Sequence, residues 1–170
     1  MKKIAFFFMC TMFTINVFGQ GISHRIAIEA GCSVMDEEIG PQLGVRYMMG
    51  VIKYLDLTVS LSSSNGFFYD KAFGNSHTSG FYSANLGVGG HVDFLRICSA
   101  RLLAEGGMAM YAKNDVVYIR PTMGGVASLA FRIASAMEMG LYIGKTWMSY
   151  SNALQPATGK FGVMLSYTMH

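Results

Sequence analysis

Charge is scarce in this chain of 170 residues. Asp, Glu, Lys and Arg make up 14% of it, against roughly a quarter in ordinary soluble domains. Neither sign dominates: 13 basic side chains face 10 acidic ones, and Lys2 and Lys3 account for two of the basic excess. A balance of this kind leaves no electrostatic footprint for nucleic acid. Cysteine is also rare. Cys10, Cys32 and Cys98 are the only three, too few for a disulfide framework and too far apart for a metal motif. After residue 20 there is no run of 18 apolar residues, so no helix is long enough to cross a membrane. No glycine motif follows a strand and opens a helix, which leaves nucleotide binding without support. What is plentiful is hydrophobic residues at 52% and 20 glycines, with a mean hydropathy of +0.35. That composition argues against disorder, a coiled coil or a charged cytosolic enzyme.

The first 19 residues read as a secretion signal. Lys2-Lys3 gives the positive start, and Ile4 to Phe18 carries no charge. Val17 and Gly19 occupy the two positions that signal peptidase tests, so cleavage is expected before Gln20. Residues 20–170 then form a single domain, with no linker and no second unit.

Past the signal the sequence alternates with period two. Between Phe81 and Phe94 one parity holds Tyr82, Ala84, Leu86, Val88 and Val92, and the other Ser83, Asn85, Gly87, His91 and Asp93. Reading the whole chain in this way predicts eight strands over 24–34, 41–51, 55–64, 80–94, 100–111, 119–132, 136–148 and 160–170. Each is near the ~9–11 residues that a tilted strand needs to span a bilayer. Longer polar links at 35–40, 65–79, 112–118 and 149–159 alternate with short ones. Long external loops and short periplasmic turns alternate in this way in outer-membrane barrels. The fold class expected is all-β, an eight-stranded antiparallel up-and-down transmembrane β-barrel.

Alternation does not say which face is inside. The apolar parity carries large side chains and one charge, Lys145, near an outer strand end. A long stem there reaches the interface. The other parity is rich in Gly and Ser, as a narrow lumen filled by side chains requires. Its charges nearly cancel: Arg25, Arg46, Arg101, Arg120, Arg132 and Lys160 against Glu29, Asp56, Asp93, Glu105 and Glu138. Buried charges persist when they are paired. Glu29, Arg46, Glu105, Arg132 and Glu138 are therefore the candidate ion pairs plugging the lumen. Aromatic residues, among them Phe81, Tyr82, Tyr111 and Trp147 at the outer ends and Tyr54, Phe94 and Phe131 at the inner ends, are placed as two interfacial girdles.

With its signal, its Gln20 junction and eight glycine-rich strands, the chain resembles the small outer-membrane barrels of the OmpA/OmpX/OmpW type, in their Bacteroidota form. The resemblance implies a structural or interaction role, or passage of very small solutes, without catalysis and without a cofactor or metal. It implies lipid and lipopolysaccharide as surroundings, chaperones and the barrel-assembly machinery as partners in transit, and a monomer. Two other classes stay open. Ser76, His77 and Asp70 would supply a nucleophile, a base and an orienter for a barrel enzyme acting on lipid acyl groups. A secreted soluble barrel that binds a ligand would show the same alternation with its faces reversed.

Overall fold

The computed structural model describes residues 23–35, 38–70, 75–94, 97–113, 116–150 and 153–169. The expected signal segment, the Gln20 junction, Asp36 and Glu37 lie outside these residues. Eight antiparallel strands close into one barrel. They are β1 (Ser23–Met35), β2 (Glu38–Ile52), β3 (Leu55–Asp70), β4 (Asn75–Phe94), β5 (Cys98–Lys113), β6 (Val116–Ala134), β7 (Met137–Tyr150) and β8 (Ala153–Met169). Each pairs with its sequence neighbours, and β1 pairs with β8 to complete the wall. No helix occurs among the described residues.

The strands are longer than the sequence predicts, and the links are correspondingly short. Segment 65–79, read as a loop, is mostly paired strand: β3 runs to Asp70 and β4 begins at Asn75. Segments 35–40, 112–118 and 149–159 are shortened in the same way. Ser, Asn and Gly have weak strand preference, but a partner in register, such as Gly80 opposite Asn65, supplies the missing backbone bonds. One end of the barrel holds the links at Lys53–Tyr54, Ile97 and Ser135–Ala136, and is called the turn end below. Register shifts at Gly50/Ile52 and Arg132/Ala134 lie there. Backbone bonds from Arg132 N to Ile97 O (2.7 Å) and from Thr168 N to Ala136 O (2.7 Å) tie two of its turns to neighbouring strands. At the other, extended end, β3 and β4 pair as far as Asp70 with Asn75.

The two faces divide by chemistry as their alternation requires. Leu43, Leu61, Leu86, Leu102, Leu141 and Ile143 are exposed on the outside. Glu29, Gln42, Arg46, Asp56, Arg101, Glu105, Glu138 and Lys160 are buried inside. Burying ionised groups while exposing leucines is opposite to the arrangement that water favours. A closed barrel with an apolar belt outside and a polar interior is the arrangement of a strand-built membrane protein.

The interior also holds apolar material on the parity read as polar. Leu103, Val126, Ala130, Tyr142 and Met164 pack into one buried cluster. Phe81, Ala109 and Met148 form a second, with Tyr111 against it. Phe81 and Tyr111, expected in the outer aromatic girdle, thus face inward. Tyr82 takes the outward place beside Phe81 and is exposed.

Candidate functional site

The interior is layered along the barrel axis. Its middle layer draws on Glu29 of β1, Arg46 of β2, Glu105 of β5 and Lys160 of β8. Glycine and serine at the neighbouring inward positions leave room for these long side chains to cross the bore. Arg46 Nε donates to Glu29 Oε1 at 2.7 Å, and its Nη1 donates to Glu105 Oε1. Glu105 also receives Ser60 Oγ at 3.3 Å and faces Lys160 Nζ at 3.9 Å. Tyr142 OH donates to Gln42 Oε1. Two cations thus meet two carboxylates, so the layer carries no net charge. That balance is the condition under which buried ions are tolerated.

Nearer the turn end a second layer forms around Glu138. Arg101 Nη2 donates to its Oε2 at 2.7 Å. Arg25 Nη1 stands 3.6 Å from the same oxygen, and Arg132 Nη2 stands 3.8 Å from Oε1. Arg25 is held in turn by Thr168, its Nε donating to Oγ1 at 3.2 Å. Across the bore Asp56 pairs with His91, at 3.0 Å. The Leu103–Met164 cluster separates this layer from the middle one on the β5–β8 side. Ala27 and Met48 are buried at the matching inward positions of β1 and β2.

Toward the extended end the interior turns to neutral polar groups. Ser62 and Ser83 share a bond of 2.8 Å, Asn85 Nδ2 donates to Ser83 at 3.1 Å, and Thr122 donates to Asn85 Oδ1 at 3.0 Å. The Phe81–Ala109–Met148 cluster lies beyond them.

Of the residues singled out in the sequence, the structure brings Glu29, Arg46 and Glu105 together in the middle layer. It places Glu138 and Arg132 in the other, with Arg132 half exposed. Arg101, Arg25 and Lys160 also belong to these layers. Their place on the inward parity was the available signal, but their partners sit on strands far away in sequence. Cys32 and Cys98 are free thiols. Lys145 stands on the outer face, 5.7 Å from the centre of the Trp147 ring. The side chains of Asp70, Ser76 and His77 lie outside the described residues. Among the described residues no group of three His, Cys, Asp or Glu side chains forms a metal cage.

No protein-family model and no curated protein matches the sequence. Solved structures do match the fold. Neisserial surface protein A superposes with a TM-score of 0.67 at 9% identity, over 87% of this chain and 97% of its own. The outer membrane protein Ail of Yersinia pestis, solved in a phospholipid bilayer nanodisc, gives 0.53 at 12% identity, over 86% and 99%. The N-terminal β-barrel domain of Pseudomonas aeruginosa OprF gives 0.52 at 10%, over 85% and 97%. The shared feature is the fold, that of small transmembrane β-barrels.

Proposed function

We propose that the chain is a small outer-membrane barrel with a structural or interaction role, its bore closed by paired charges to all but very small solutes. The observation that carries this is the reach of Arg46 across the interior, from β2 to Glu105 on β5, while it also holds Glu29 on β1. A guanidinium held between two carboxylates, with an apolar cluster on either side along the axis, supports a bore narrowed to very small solutes. The apolar outer belt supports a lipid surround, with lipopolysaccharide on the external side. The extended end is assigned to the outside and the turn end to the periplasm, as in barrels with short periplasmic turns. The chain works in this reading as a monomer. It is handed through the periplasm by chaperones and inserted by the assembly machinery.

Single-protein conductance in a planar bilayer tests the closed bore. The native protein is expected to show little current. Replacing both Glu29 and Glu105 by Gln releases Arg46 and is expected to raise the current. A large steady conductance in the native protein, or none gained on the double replacement, counts against closure by these pairs. Cell fractionation tests the location: recovery in the periplasm or medium would favour a soluble barrel.

A further inference from the structure

We propose that the arginine cluster at the turn end of the bore is a binding site for a small oxyanion of the phosphate class. The two charged layers differ in one respect. In the middle layer Arg46 and Lys160 are matched by Glu29 and Glu105. At the turn end one carboxylate, Glu138, serves three guanidiniums, those of Arg101, Arg25 and Arg132. Asp56 touches His91 and none of these guanidiniums; its charge is cancelled there when His91 is protonated and offsets part of the surplus when His91 is neutral. Asp93 is exposed near the rim and reduces the surplus without entering the cluster.

Hydrogen bonding points the same way. Arg101 is 3% exposed, yet its Nε and Nη1 have no hydrogen-bond partner among the described residues, where Arg46 of the middle layer lacks one only at Nη2. The buried hydroxyls of Ser99 and Ser166 have none either. Ser99 shares the inward face of β5 with Arg101, and Ser166 lies opposite Glu138 in the β7–β8 register. A guanidinium donates and never accepts, and a buried donor left unmet is destabilising, more so when charged. A cluster of donors with a positive surplus calls for a ligand with several acceptor oxygens and negative charge. Access is graded. The Arg132 side chain is 44% exposed, that of Arg25 15%, and Arg101 lies behind them. An anion entering at the turn end meets the arginines in that order. The site goes beyond the closed-bore reading and does not depend on it.

The test uses the full barrel folded in zwitterionic detergent micelles, titrated with inorganic phosphate in a calorimeter, with sodium chloride at equal ionic strength as control. Saturable heat with phosphate and not with chloride is expected. Arg101→Gln should weaken it about tenfold, the scale of one charge-assisted hydrogen bond. Arg132→Gln, at the half-exposed position, should weaken it less, and it carries the test if Arg101→Gln does not fold. Glu138→Gln removes the internal competitor and should tighten phosphate binding. The absence of saturable heat with phosphate would overturn the site, leaving water as the partner of Arg101. An equal response to chloride, or binding indifferent to all three replacements, would overturn it as well.

Discussion

Glu105 receives more of the interior than any other side chain of its layer: Arg46, Lys160 and Ser60 all converge on it. Removing it leaves Lys160 without its carboxylate and Arg46 with Glu29 alone, whereas Glu29 holds only Arg46. Glu105→Ala is therefore expected to lower folding stability by about 3–5 kcal/mol, the cost of breaking a buried pair. Arg132, 44% exposed and 3.8 Å from its carboxylate, behaves as a surface partner, and Arg132→Ala should cost about 0–1 kcal/mol. Urea titration of the barrel in lipid vesicles gives both values. Equal losses at the two positions would mean that the middle layer is as wet as the rim. Burial, not formal charge, sets this ranking. Both residues stand on the inward parity, and in the sequence only position along the strand separates them, Glu105 nearer the middle and Arg132 nearer an end.

At the scale of the strand, the alternation becomes a test of what surrounds the barrel. Leu141 of β7 points outward and is exposed. An arginine in its place costs roughly 2–4 kcal/mol if lipid lies outside. In water the same change on an exposed outer face would be within about 0.5 kcal/mol of neutral. Refolding of Leu141→Arg into vesicles, compared with the native chain, decides between them. Parity of this kind is legible in the sequence alone, because side chains on a strand alternate with a fixed period. The number of strands follows from it, and the facing follows from the make-up of the two parities. Two things did not. The ends of β3 and β4 read as loop because Asn65, Gly66 and Ser79 are turn-forming types, and only the partner strand makes them strand. Leu103, Val126 and Met164 stand among small and charged residues on the inward parity. What justifies each of them is a residue on another wall of the bore, which no single strand's pattern contains. The partners in the charged layers were hidden for the same reason. Glu138 meets Arg101 across 37 residues of chain, through the curvature of the sheet.

For the whole molecule the decisive contact is the seam between β1 and β8. Gly31 and Gly162 face one another there. A Cβ on Gly31 would lie 2.6 Å from the Gly162 Cα and would collide with the Phe161 carbonyl oxygen. Gly31→Val should therefore hinder closure, at a cost of about 1–3 kcal/mol or more. Gly159→Ala, on the same strand pair and with nothing within 4 Å of its added Cβ, should be silent. The fraction of each variant that keeps the compact, heat-modifiable mobility in detergent gels measures this. Indifference to Gly31→Val would mean that the seam is looser than its register implies.

Closing that seam joins groups such as Arg25 and Thr168, which are 143 residues apart along the chain. Closure entropy grows only slowly with such separation, but contacts this distant are reached late in folding. Until they form, β1 and β8 are both open edges, ready to pair with another chain. After they form, no strand is terminal, so none can peel away without its two neighbours letting go together. The ring therefore turns a hazardous assembly into a persistent product. Its lifetime once closed is governed by the rate at which the seam reopens, and the sum of its contacts matters less.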